Sequence, residues 1–411
     1  MTNYAVPMRK ERFMSTIVAE IGDAGARAAA LTARRDPRAE MAARLPAIVQ
    51  PFLSWLTARP APEEAEVARS PMHFVYQACL LVAAGLSLGV LSAAAPTAPG
   101  VALLLASLTL TTSGLGLFQV VVFHHCGHGT VFGTWERNRA AGRLISAVFL
   151  FKHFDHYRKE HMHHHSARKL LTEEDEFADF VLGMCRLEPA LPKRELWRRV
   201  LVNVVFSPGF HVRFLLRRMR AAMRSHDRQH NAVAIAALAL PALASALTGQ
   251  FITYLLIWFL PLSLLLQWAT IGRILCEHRF PEPALIAARD KEFVCLATAG
   301  VFPGAPLPRE SAWSPAGLAA WGGWWLNMLT VQLLVRVIVL VGDAPCHDFH
   351  HRRPSTKQWT DYIHARQKDV DAGCPGFPRN YGETWGLFRA IDENLATLSA
   401  TPRGIVPMWP H

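Results

Sequence analysis

The stretch VALLLASLTLTTSGLGLFQVVVFHHCGH, residues 101–128, decides how this chain is read. Its apolar part, 101–123, is long enough to cross a bilayer, for which about 20 residues suffice. It runs straight into His124-His125-Cys126-Gly127-His128. On a helix, positions i and i+4 share a face, so His124 and His128 turn their imidazoles toward one point. Two later stretches follow the same grammar. They are His161-Met162-His163-His164-His165 and His347-Asp348-Phe349-His350-His351. There the i, i+3, i+4 spacing gathers His161, His164 and His165, and likewise His347, His350 and His351. This is more nitrogen than one ion needs, so the pattern implies more than one metal. Neutral imidazole suits iron, zinc, copper and nickel. Structural zinc sites take four ligands and favour cysteine. A histidine excess without cysteine partners points to redox iron.

Working outward, the apolar runs form two pairs, 74–95 with 101–123 and 232–248 with 251–271. The connections are the uncharged 96–100 and Gly249-Gln250. Pro241 interrupts the third run, which a spanning helix tolerates. Lys and Arg are missing from both hairpin tips. They are dense before residue 70, between 137 and 228, and after 272. The positive-inside rule then puts both termini and the 124–231 loop in the cytoplasm. A fifth apolar run, 324–342, carries Arg336. A crossing there would carry His347–His351 to the side opposite the other clusters. It is read as a helix buried in the protein or lying at the interface; a true fifth span is the other reading. His278, in Cys276-Glu277-His278-Arg279, falls just beyond the fourth run, on the same side as every cluster.

The expected fold is an all-α membrane protein, with four transmembrane helices in two hairpins and a cytoplasmic helical cap holding the histidines. Residues 1–70 are expected as a helical cytoplasmic extension, with helix over 10–58. Residues 71–365 form the membrane domain and 366–411 a cytoplasmic tail. The formal net charge is +11 and 51% of the residues are hydrophobic. In a soluble chain that charge would suggest nucleic acid. Here it fits basic loops and anionic lipid, or attraction of an acidic protein, and no nucleic-acid partner is expected. The seven cysteines are scattered and form no C-x-x-C pair, which excludes a disulfide framework or a zinc ribbon. His73, His211, His226, His230, His364 and His411 stand alone and read as ordinary surface or core residues. The spanning runs hold no ionisable residue at mid-depth, where a metal transporter would place them. Transport is therefore the distant alternative.

The three boxes resemble those of the integral-membrane fatty acid desaturase superfamily, which also contains alkane and lipid hydroxylases. The family pattern HxxxH, HxxHH and H/QxxHH is met by His124 and His128, by His161, His164 and His165, and by His347, His350 and His351. His278 matches the extra family histidine after the fourth helix. The resemblance covers roughly residues 70–365. It departs at His125, where many relatives carry Asp. It implies that those nine histidines hold two iron ions, with O2 as co-substrate. The implied substrate is a lipid acyl chain or fatty acid, and the implied reaction is desaturation. The same fold also serves as a fatty acid or alkane hydroxylase, or as a fatty acid decarboxylase forming terminal alkenes.

Ligand imidazoles commonly donate their second ring N–H to a carboxylate. Glu277 and Asp348, each beside a box histidine, are placed for that, as is Asp175 in the acidic run Glu173-Glu174-Asp175-Glu176. His125 and His156 are further supporting candidates. The chain shows no haem module and no cysteine set for an iron–sulfur cluster. Electrons are expected from a separate ferredoxin, rubredoxin or cytochrome b5-like donor. The basic runs Arg213–Arg228 and Arg352-Arg353 could face an acidic one. An Arg or Lys near the substrate tunnel would hold a carboxylate or an acyl carrier, and the sequence singles none out.

Overall fold

The first apolar pair owes its closeness to small residues. Helices α3 (Pro71–Ala94) and α4 (Ala98–Gly127) lie side by side. A Cβ added at Gly85 would fall 2.3 Å from Thr111 Oγ1, and one at Gly114 2.7 Å from Val82 Cγ2. In lipid there is no hydrophobic drive between helices, so small residues that let backbones approach supply the packing. These helices belong to a computed structural model that describes residues 36–95, 98–311 and 313–409. Residues 10–35 of the expected helical extension lie outside the described residues. The described part of that extension holds α1 (Pro37–Arg44), capped by Asp36 on the Arg38 amide, and α2 (Gln50–Thr57).

The lower half of α4 changes pitch. Phe118–Phe123 winds as π-type turns and delivers His124 at its end. Wide turns of this kind are frequent at functional sites because they re-aim the side chains that follow. The loop after α4 carries α5 (Trp135–Val148), α6 (Phe154–His164), α7 (Lys193–Val205) and α8 (Pro208–Met223). Helices α7 and α8 meet at a 65° bend. The second apolar pair is α9 (Arg228–Leu247), capped by Asp227, and α10 (Phe251–Glu277). Leu80, Val90, Leu105, Leu240 and Leu243 are among the large apolar side chains left exposed on these helices. Patches of that kind are costly in water and natural against lipid.

Among the described residues five helices are long and apolar enough to cross a membrane, and the fifth is α11 (Pro315–Val339). It starts earlier than the run at 324–342. Its side chains are tied to the cap along most of its length. The Arg44 guanidinium lies over Trp321, Trp324 Nε1 donates to the Ala305 carbonyl at 3.0 Å, and Gln332 Oε1 accepts from the Gly304 amide at 2.9 Å. Arg336 is buried, and its Nε donates to the Trp55 carbonyl at 2.9 Å. It also meets the Leu340 carbonyl and the Tyr362 hydroxyl.

The cap contains a feature absent from the all-α expectation, a short parallel pair of β1 (Gly300–Phe302) and β2 (Glu383–Trp385). An isolated bridge joins His278 to Thr298 just before it. The pair lies between α12 (His347–Arg352), α13 (Tyr362–Asp371) and α14 (Leu387–Ala400). The residues expected as a tail supply core here. Leu395 and Leu398 are fully buried, and Asn394 Nδ2 donates to the Leu275 carbonyl at 2.8 Å. Burying those leucines contributes roughly 1.5–3 kcal/mol each, so α14 is part of the core that packs against α10.

Candidate metal centre

Four elements bring nine imidazoles together: the end of α4, helix α6, the residue after α10, and helix α12. They form two groups. His124, His128, His161, His165 and His350 make one; His164, His278, His347 and His351 make the other. Within each group the ligand atoms all lie within 4.8 Å of one another. In the first, Nε2 of His124 and His350 are 2.7 Å apart, and the pairs His128–His161, His161–His165 and His165–His350 are each 3.0 Å apart. In the second, His278 and His347 are 3.1 Å apart and His347 and His351 3.0 Å. Two nitrogens bound at right angles to one ion at 2.0–2.1 Å sit about 3 Å apart. The spacing is therefore the edge of a coordination shell. Helix α6 splits its box between the groups, with His161 and His165 facing one and His164 the other, so the two centres are neighbours.

Electrostatics keeps the nitrogens available. Burial pushes His128, His165, His278, His347, His350 and His351 well below the ordinary imidazole value, and neighbouring imidazoles push the same way. His161 is lowered as well, with Glu176 working against the burial. Neutral imidazole is the form that binds a metal. His164 differs. Burial is the largest influence and would lower it too, but Asp175, with Glu176 and Glu277, raises it overall.

Asp175 is fully buried, and its Oδ1 lies 2.8 Å from His164 Nδ1. Glu277 is buried with Oε1 3.9 Å from His347 Nδ1. Glu176 Oε1 is likewise 3.9 Å from His161 Nδ1, and the Tyr157 hydroxyl lies 3.3 Å from His124 Nδ1. Burial opposes its charge, yet Lys152 and His161 hold Glu176 below the usual carboxylate range. His125 stands outside both groups of imidazoles that pack most closely. Its Nε2 meets Asp343 Oδ2 at 2.8 Å and its ring stacks on Trp359 at 4.0 Å, an arrangement that fixes box 1 from behind.

Two supporting candidates fall elsewhere. His156 projects outward, 62% exposed, and pairs with Glu160 at 3.0 Å, because five residues from His161 is the wrong face of α6. Asp348 does not meet a ring nitrogen. It is fully buried against Arg366, with Arg366 Nη2 2.8 Å from Oδ2 and Nε 3.0 Å from Oδ1. Of the basic residues read as facing a donor, Arg213, Arg220, Arg224 and Arg228 are exposed, whereas the Arg352-Arg353 pair turns inward. Arg352 is buried on the Arg379 and Asn380 carbonyls, and Arg353 pairs with Asp369 at 2.9 Å. Tyr157, Asp343 and Arg366 were not picked out in the sequence. Asp343 stands one helical turn before His347, a spacing that would have flagged it.

The model of the fatty acid desaturase family matches residues 98–330, more than half of the 411. The chain belongs to the fatty acid desaturase family. The match ends before His347–His351, so the third box of this desaturase-family chain rests on its geometry. None of the curated proteins and none of the solved structures compared with it matches. A cavity of about 320 Å³ opens beneath both groups, touching His124, His161, His164, His278 and His347. Pockets of 300–1,000 Å³ are the usual size for small-molecule sites.

Proposed function

We propose that this desaturase-family protein is a membrane di-iron enzyme that uses O2 to desaturate a fatty acid or lipid acyl chain. The observation that carries the reading is the division of nine imidazoles into two adjacent groups over one cavity. The donor set fits iron: it is all nitrogen, nearly all of it neutral, with carboxylates supporting His164 and His347 from behind. Bound iron would supply the oxidising chemistry for an unactivated C–H bond. The chain's own residues do the rest. His124, His128, His161, His165 and His350 would hold one ion, and His164, His278, His347 and His351 the other. Asp175 keeps the Nδ1 proton of His164, leaving Nε2 free to bind. Phe123, Tyr157 and Phe177 line the cavity and exclude water from the reacting carbon.

Four spans, α3, α4, α9 and α10, put every box on one face, which positive charge assigns to the cytoplasm. The side-chain ties of α11 to residues 44–55 and 304–305 support its lying along the cap. Electrons come from a separate carrier protein. The test is metal analysis of the purified protein with lipid profiling of a host that expresses it. About two irons per chain and new double bonds are expected, with both lost together in His161→Ala and His350→Ala. Zinc alone, or full activity in either variant, overturns the reading.

A further inference from the structure

The cavity wall carries a guanidinium with unused donors beside the clustered imidazoles. Arg273 lies on α10 one turn before Glu277, and its side chain is 19% exposed. Its Nη1 donates to Glu277 Oε2 at 2.8 Å, while its Nε is buried and has no partner. A guanidinium offers five N–H donors, and buried donors are nearly always paired. The guanidinium lines the cavity with one nitrogen paired to Glu277 and another unpaired, so an acceptor brought into the cavity would complete it.

The other cations of that wall are occupied. Lys152 is held by Glu160 and Glu176, and Arg217 by Asp179. Arg218 donates to the Phe149, Leu150 and Leu262 carbonyls. Below Arg273 the same face of α10 continues as Thr270 and Gln267, and Gln119 of α4 lies 3.5 Å from Thr270 Oγ1. Thr270 donates to the Leu266 carbonyl at 2.8 Å and Gln267 Oε1 meets His211 Nδ1 at 3.0 Å, so the protein satisfies this stripe and Arg273 alone keeps an unpaired buried donor on it. Arg273 is also close to the metal ligands. Two contacts, 2.8 Å to Glu277 and 3.9 Å from Glu277 to His347 Nδ1, separate it from the second group.

We propose that Arg273 binds the carboxylate of a free acid, so that the substrate is oxidised within its first few carbons. This rests on the di-iron reading and narrows its substrate. The planar fork of Arg matches a carboxylate in two bonds, and here it bridges Glu277 and the ligand. A chain esterified to glycerol or a carrier lacks that anion.

The test is calorimetric binding of decanoic acid and decanol to the metal-loaded protein in detergent, under nitrogen so that nothing turns over. Three proteins are compared: wild type, Arg273→Lys, and the double variant Arg273→Gln with Glu277→Gln, which leaves no carboxylate unpaired. Wild type should bind the acid roughly tenfold or more tightly than the alcohol, the size of one charged hydrogen bond. The double variant should lose that preference while its alcohol binding holds, and the Lys variant should keep part of it. Product analysis in air should place the new functional group next to the acid end. Equal wild-type binding of acid and alcohol overturns the proposal, as does an unchanged preference in the double variant, or oxidation at mid-chain. If the double variant does not fold, the wild-type comparison and the Lys variant still decide. A zinc-only protein that prefers the acid through Arg273 would sink the di-iron reading alone. An iron enzyme oxidising mid-chain would sink this one alone.

Discussion

Replacing Asp175 with Ala separates the two metal groups. Its Oδ1 accepts from His164 Nδ1 at 2.8 Å and from the Phe177 amide at 3.1 Å, and its Oδ2 from the Leu171 amide at 2.8 Å. The change strips all three bonds at a fully buried position. Losing one partner of a buried charged pair costs about 3–5 kcal/mol, of which about 1 kcal/mol is the helix cap on Phe177. The loss of metal affinity is narrower. Removing the carboxylate behind a ligating imidazole weakens binding about 10–100-fold, or about 1.4–2.7 kcal/mol. Only His164 feels it, and His164 belongs to the four-histidine group. The assay is iron per chain after dialysis against increasing chelator, with thermal melting as a control for folding. In Asp175→Ala the first half of the iron should leave at lower chelator than in wild type, and the second half should track wild type. Asp175→Asn, which keeps an acceptor without the charge, should fall between. If both halves leave together, or the variant superimposes on wild type, the division into two groups with separate supports is wrong.

Two further outcomes follow from buried charge. Arg366→Met leaves Asp348 fully buried without its cation and should destabilise the protein by about 3–5 kcal/mol, read as a lower melting temperature; Arg366→Met with Asp348→Leu should recover most of it, and an unchanged single variant would refute the pairing. The metal-free protein should lose stability as pH falls below the ordinary imidazole value of 6.5. His128, His161, His165, His278, His347, His350 and His351 are all lowered on folding. The unfolded chain then takes up protons that the folded clusters exclude, and each group contributes at most about 1.4 kcal/mol per pH unit. His164, raised on folding, works in the opposite sense and is outnumbered. Melting of chelator-treated protein from about pH 8 to pH 5 checks this; a melting temperature that rises toward acid would contradict it.

What the sequence could convey was whatever repeats at short range. The i, i+3, i+4 spacing identified eight of the nine clustered histidines, because helical periodicity alone aims them, and His278 was found from its place after the fourth apolar run. Asp175 was placed beside a ring nitrogen as its position near a box suggested, while Glu277 pairs with Arg273 and its other oxygen stands 3.9 Å from His347 Nδ1. Asp348 was misjudged because its partner, Arg366, lies eighteen residues on, across a turn with no local signature. The same limit hid the β1–β2 pair, whose strands of three residues are joined only through the tertiary fold. His125 looked like a substitution for the Asp that many relatives carry in this box. The structure supplies a carboxylate there after all, from Asp343 on the far side. Apolar length could not settle α11. Its bonds to Trp55, Gly304 and Ala305, which bear on its course, are made by residues distant in sequence.

The strand pair sets an order of events in time. A ribosome emits α4, α6 and α10, with five of the nine histidines and then His278, long before it reaches residue 383. Synthesis proceeds at about 5–20 residues per second, and segments fold as they emerge. Until the last segment folds, α12 lacks part of its seat, since Arg352 donates to the Arg379 and Asn380 carbonyls that lead into β2. The two pockets of nitrogen are therefore completed by the last part of the chain to be made. On the di-iron reading, metal loading waits for that segment, and a chain ending before residue 347 would carry six of the nine imidazoles and neither group complete.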